Sequence, residues 1–183
     1  MIDMTPSPHR RAGTSRRGFT LIELVVVLVL AAILAGVAVP SMAGLAGTRA
    51  KAAARLISHD LGYARERALA TGITVWVSFN ASTETYTMLE ESLSTPGRVS
   101  ATAMTDPATG RAFSQSFAGG ELAGVDIASV AIGGGTANEV GFDWLGRPKD
   151  QAQVLLTSTG TITLSSGNSV TVQADTGLAK ALP

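Results

Sequence analysis

The pattern of apolar and polar positions changes character twice along the chain. From Phe19 to Val39 the sequence FTLIELVVVLVLAAILAGVAV is apolar on every side, and Glu23 is its one charge. At about 1.5 Å per residue, a helix of that length reaches roughly 30 Å, the thickness of a bilayer core. A helix on a soluble domain would carry a polar stripe, and none follows Glu23. Beyond Pro40 the apolar positions thin to one face: Ala50, Ala53, Ala54, Ile57, Leu61, Ala64 and Ala68 recur at helical spacing. Arg49, Lys51, Arg55, Asp60, Arg65 and Glu66 mostly lie off that stripe. Gly72, just after Thr71, has the character of a helix stop. The pattern therefore predicts one long helix over about 19–71, transmembrane over 19–39 and bent near Gly36 and Pro40. The alanine-rich stripe lets a sheet approach the helix axis closely, so it is expected to form the core face of a globular head rather than a filament contact.

After Gly72 the period becomes two. ITVWVSFN places Ile73, Val75, Val77 and Phe79 on one face, with Thr74, Trp76, Ser78 and Asn80 on the other. ETYTMLEE answers it after a short polar loop, which predicts a hairpin. Residues 92–120 are rich in Ser, Thr, Ala and Gly, include Pro96 and Pro107, and read as irregular or weakly stranded. VDIASVAIG, EVGFDW, QVLLTS, TITLS and SVTVQA are further strand candidates, punctuated by Gly134–Gly135, Gly146, Gly160 and Gly167. The expected fold class is α+β: a long N-terminal helix packed on an antiparallel β domain over 73–183.

Charge refines this picture. Basic and acidic residues balance at 14 each, but Arg10, Arg11, Arg16 and Arg17 face only Asp3 in the first 18 residues. The basic character is thus an N-terminal tag, and the remainder is mildly acidic, which argues against nucleic acid as a partner. Arginines ahead of an apolar span place residues 1–18 in the cytoplasm and the C-terminal domain across the membrane. There are no cysteines, so disulfides, thiolate metal sites and Cys nucleophiles are excluded.

Glu23 separates three readings of the N-terminus. An ordinary signal anchor, and a cleaved export signal with the twin-arginine look of SRRGFTLIE and a small-residue site at SMA (41–43), both leave the acid unexplained. A charge at mid-span costs about 2.5–3.5 kcal/mol, less near the interface. Scission between Gly18 and Phe19 would create an α-amine four residues ahead of Glu23. Its ordinary pKa of about 7.7–8.0 keeps it largely cationic at neutral pH. Ammonium and carboxylate stabilise each other at apolar depth, where each alone is costly. Between neighbouring chains that pairing fixes an axial offset, making Glu23 a register device for assembly.

GFTLIELVVVLVLAAILAGVAVP closely resembles the signal of type IV prepilins and type II secretion pseudopilins. The resemblance implies that a prepilin peptidase cuts after Gly18 and methylates Phe19, that Glu23 is the assembly glutamate and that Pro40 is the helix-bending proline. FDWLGRP, VLLTS and TITLSSGNSVTVQADTG are similar to the C-terminal half of the GspH/FimT group of minor pseudopilins and minor pilins, on Phe142, Gly146, Val170, Val172, Thr176 and Gly177. DLGYARERALATG fits the helix exit of that group, while residues 92–135 match nothing in it. The implied protein is a structural subunit of a secretion pseudopilus or type IV pilus, in the bacterial inner membrane and then a periplasmic filament. Its partners would be other pseudopilins or pilins. The alternative is a membrane-anchored or exported β-domain binding protein or enzyme.

Other chemistry is sparse. His59, the one histidine beyond the tag, has no second histidine nearby to complete a metal site and reads as a surface residue. Gly133–Gly135 lacks the Lys-Ser/Thr of a phosphate-binding loop. Asn80–Ala81–Ser82 is a glycosylation triplet of the sort that arises by chance. Asp143, Asp150 and Asp175 are spread over turns and make only a weak calcium candidate. No nucleophile elbow, paired carboxylates or cofactor fingerprint is present, so neither an enzyme nor a cofactor is expected. Some minor pilins of the resembled group take up DNA through basic residues after the closing TG. Here that stretch is LAKALP, with Lys180 its one cation, which disfavours DNA.

Overall fold

The computed structural model describes residues 19–133 and 138–183, and within the helix the side chains of 36–43 lie outside the described residues. The first helix, α1, runs Leu21–Thr71. The bend expected at Gly36 and Pro40 falls on residues whose side chains lie outside those described. The chain divides into two units between Ser41 and Met42, so the second half of α1 belongs to the head. Gly72 ends α1: its φ of 73° continues the chain in the left-handed region, and its N–H bonds the Ala68 carbonyl at 2.9 Å.

The described residues of the head form ten strands: β1 (Val75–Asn80), β2 (Thr85–Glu90), β3 (Thr102–Ala103), β4 (Ser114–Ser116), β5 (Ile127–Ala131), β6 (Glu139–Phe142), β7 (Pro148–Lys149), β8 (Gly160–Leu164), β9 (Ser169–Val172) and β10 (Ala179–Leu182). One sheet has the order β3-β2-β1-β6-β7, with β4 also on β2, and the other has the order β10-β9-β8-β5. All pairings are antiparallel. In β1, Val75, Val77 and Phe79 face the core opposite Phe142, Val140 and Tyr86 of the flanking strands. Ile127, Ile162, Leu164, Val170 and Val172 supply the second sheet's inner face. The α1 stripe closes the core between them, and each of its members from Ala50 to Ala68 is at most 1% exposed. Burying Ile57 and Leu61 contributes about 1.5–3 kcal/mol each, and the alanines let the sheets come near the helix.

The segment read as irregular, 92–120, contributes to the core. Met104, Phe113 and Phe117 are buried, and Phe117 joins an aromatic row with Tyr86 (centroids 5.8 Å apart) and Phe79 (5.6 Å from Tyr86). Its short strands β3 and β4 both edge β2. One expectation is corrected. QVLLTS is not a strand: Gln153 has φ 65°, and Asp150 closes a turn with Val154 through backbone bonds and a 2.9 Å bond to its carboxylate. Leu155 makes only an isolated bridge to Lys149, and Leu156 alone of that segment is buried. LAKALP, which is not among the strand candidates, contains β10, which pairs with β9 and accepts a bond from Ser58 Oγ at Ala179 O (3.1 Å).

Candidate functional site

The N-terminal segment is built by α1. Gly18 lies outside the described residues, and Phe19 is 80% exposed. From Leu21 to Leu34 every large hydrophobic side chain is exposed around the full circumference of the helix. No described helix is long and apolar enough to cross a membrane; the described apolar side chains stop at Ala35, while the helical backbone continues.

Thr20 caps the helix, its Oγ1 accepting the Glu23 N–H at 3.3 Å and its carbonyl accepting from Glu23 and Leu24. Thr20-Leu21-Ile22-Glu23 thus has the spacing of a capping box. Only the threonine half is present: the Glu23 carboxylate accepts no hydrogen bond among the described residues. Its charge favours the positive end of the helix dipole by about 0.3–1 kcal/mol, which does not offset about 2.5–3.5 kcal/mol for burial in lipid.

In the head, three residues of the resembled motif, Gly146, Thr176 and Gly177, converge on one side chain, while Phe142, Val170 and Val172 lie in the core. The β6–β7 turn is held by Asp143, 1% exposed, whose Oδ1 accepts the N–H groups of Leu145 and Arg147 at 2.9 Å, with Arg147 Nε on Oδ2 at 2.9 Å. Burial alone would raise the Asp143 pKa, but the Arg147 and Leu145 bonds and the Arg147 charge outweigh it and hold the carboxyl below its ordinary range. Gly146 (φ 72°) and Gly177 (φ 67°) lie against Arg65 of α1. Arg65 Nε donates to Gly146 O at 3.1 Å and Thr176 O at 2.9 Å, tying both turns to the helix. A Cβ on Gly177 would strike the Gly146 carbonyl oxygen. The paired glycines and Thr176 therefore form an arginine clamp. In the sequence Arg65 carries no signal beyond lying off the apolar stripe.

A second network covers the outer face of the first sheet. Trp76, alternating onto that face, is nevertheless fully buried. Its ring lies over Gly141, its cross-strand partner, its Nε1 donates to Glu91 Oε1 at 2.8 Å, and Arg98 Cζ sits 5.9 Å from the ring centroid. Glu91 also accepts the Gly97 N–H at 2.9 Å. Arg98 makes a two-pronged pair with Glu139, at 2.6 Å for each bond, and Ser78 adds a third bond at 2.9 Å. Glu139 feels burial upward and the Arg98 and Ser78 bonds downward; the bonds win, and its pKa lies below the ordinary value.

The remaining candidates have structural uses. His59 is 79% exposed by side chain and touches Asp60 at 3.2 Å; Asp60 is buried and takes the Tyr86 hydroxyl at 2.6 Å. Asn80 Oδ1 accepts the N–H groups of Ser82 and Thr83, shaping the hairpin loop. Gly133 occupies a turn, and Gly134 and Gly135 lie outside the described residues. Among the described residues no group of acids or histidines could hold a metal: Asp143 and Asp150 are engaged in their own turns, and Asp175 is exposed elsewhere.

Residues 13–39 match the family described as the prokaryotic N-terminal methylation motif. No curated protein matches the chain. Two solved structures are similar in fold, both described as the minor pseudopilin EpsH from the type II secretion system of Vibrio cholerae. One is 14% identical with a TM-score of 0.54, covering 73% of this chain and 95% of the other. The second is 15% identical with a TM-score of 0.55, covering 74% and 94%. At such identities the likeness establishes the α+β fold of a pseudopilin head and helix.

Proposed function

We propose that this chain is a minor pseudopilin or minor pilin, a structural subunit of a type II secretion pseudopilus or type IV pilus. Prepilin peptidase cuts after Gly18, Phe19 becomes the N-methylated terminus, and the apolar helix first anchors the chain in the inner membrane. The head then lies in the periplasm, and the same helix later packs into the filament. The observation that carries this reading is the exposed apolar helix with a Glu23 whose carboxylate has no partner among the described residues, within the segment that matches the methylation motif. The likeness of the head to EpsH supports the minor-subunit assignment, and Gly36 and Pro40 would set the bend of the helix. Its partners are other pilin-like subunits, and no enzymatic step is assigned to the chain. Glu23→Ala is expected to be processed normally but to enter filaments poorly, measured as the cleaved subunit in sheared filament fractions. Normal incorporation would contradict the pairing of Glu23 with a terminal amine.

A further inference from the structure

At the exit of α1, the strap of residues 92–101 after β2 meets the β6–β7 turn around a cavity of about 180 Å³. Ile73, Thr74, Glu91, Leu93, Pro96 and Trp144 line it, among others. Leu93 and Trp144 are 78% and 59% exposed, so the apolar side of the cavity is open to solvent. Both stand on fixed backbone. Trp144 sits in the turn that Asp143 closes through the Leu145 and Arg147 N–H groups. The strap is pinned where the Gly97 N–H bonds Glu91 Oε2 at 2.9 Å, and the Glu91 N–H bonds Thr74 O at 3.0 Å. An indole and a leucine already held in place lose little freedom when a partner covers them.

Charge decides what the cavity takes. Glu90, Glu139 and Asp143 are each paired, with Arg67 at 3.4 Å, Arg98 at 2.6 Å and Arg147 at 2.8 Å. Glu91 has no such cation among the described residues, and its oxygens accept only from the neutral donors Trp76 Nε1 and Gly97 N–H. Arg98 senses the Glu91 charge but is committed to Glu139 by two bonds. Glu91 is 7% exposed, lines the cavity, and sets its Oε2 on the residue next to Pro96 of the cavity wall. A cation in so small a space lies within the roughly 4–6 Å at which an opposite charge is favoured, and no bond to a carboxylate oxygen is required. An inorganic cation answers the charge and leaves Leu93, Pro96 and the indole uncovered. An apolar side chain covers them and leaves the charge unanswered. A basic side chain does both, its stem along Leu93 and Pro96 and its head on the indole face. Arginine suits the site better than lysine, because a guanidinium is planar, stacks on aromatic faces and is more weakly hydrated than an ammonium. The volume admits one such side chain and is below the roughly 300–1,000 Å³ of small-molecule sites. We propose that this cavity docks one arginine side chain of a partner polypeptide, its guanidinium stacked on Trp144 and facing the charge of Glu91. The site uses nothing of the N-terminal segment and is independent of the filament reading.

The test is a nuclear magnetic resonance titration of the full, ¹⁵N-labelled chain in detergent micelles. The probe is N-acetyl-arginine N-methylamide, with the citrulline, lysine and norleucine analogues as comparisons. Saturable shifts of the Trp144 indole N–H and the Leu93 backbone amide are expected with the arginine probe, and each analogue should bind about threefold or more weakly. Trp144→Ala, at an exposed position, should weaken arginine binding about threefold to tenfold. Glu91→Gln should remove the advantage of arginine over citrulline; if that variant does not fold, the citrulline comparison on the unaltered chain decides the role of charge. Absence of a saturable shift, any analogue binding as tightly as the arginine probe, or unchanged affinity in Trp144→Ala would overturn the proposal.

Discussion

Gly141→Ala isolates one packing relation that holds the outer face of the head together. A Cβ at Gly141 would lie 2.6, 2.7 and 2.8 Å from Trp76 Cε3, Cζ3 and Cδ2, closer than carbon atoms approach. Trp76 cannot simply swing away, because it is fully buried and anchored to Glu91 at 2.8 Å. Forcing the ring to move costs about 1–3 kcal/mol as overpacking. Straining or breaking a hydrogen bond to a charged acceptor adds about 1.5–3 kcal/mol. The combined loss is about 2.5–6 kcal/mol. At roughly 3 °C per kcal/mol for a head of this size, the melting temperature should fall by about 7–18 °C. Thermal denaturation followed by circular dichroism on the detergent-solubilised chain measures it. In a Trp76→Ala background the same Gly141→Ala change should cost less than about 1 kcal/mol, because the atoms it strikes are gone. An equal loss in both backgrounds would refute the steric account and leave the cost to the strand backbone.

Two further outcomes follow from the charged groups. Glu139 and Asp143 have folded-state pKa values below their ordinary 4.5 and 3.8. The unfolded chain therefore binds protons at higher pH than the folded one, so their contribution is complete above the ordinary values and is lost as pH falls through the lowered ones. Urea midpoints should drop below about pH 4, and Glu139→Gln should reduce that dependence; a midpoint that is flat or rises on acidification would contradict the assignment. Arg65→Met removes both clamp bonds and should destabilise the head by about 1.5–3 kcal/mol. Hydrogen exchange should then speed at the Gly146 and Gly177 turns, and unchanged exchange there would refute the clamp.

Much of the fold was legible in the sequence because the burial stripe and the strand alternation are local signals. Ala50 to Ala68 gave the helix face that packs in the core, and β1, β2, β5, β6, β8 and β9 lie on the segments whose period is two. The misses arise where tertiary contacts override the local pattern. Alternation sets Trp76 opposite the core residues of its strand, and nothing in that strand signals that Glu91, Gly97 and Arg98 fold over it. QVLLTS has strand-like composition, but Asp150 captures the Val154 N–H and turns the chain. β10 is short, carries Lys180 and precedes Pro183, so it exists only through its pairing with β9. At the clamp, the resemblance pointed to Gly146, Thr176 and Gly177, and the structure supplies the reason in Arg65, distant from each in sequence. The N-terminal segment was the most legible, since an acid within an apolar run conflicts with the solvent that run requires.

The most direct test of that segment is the chemical identity of the mature N-terminus, read by mass spectrometry of the chain purified from membranes of its native host. The account predicts a terminus at Phe19 carrying a single N-methyl group, with residues 1–18 absent. An intact Met1, or a terminus near residue 44 after export-type cleavage, would contradict it and leave a β-domain protein that borrows an anchor or a signal.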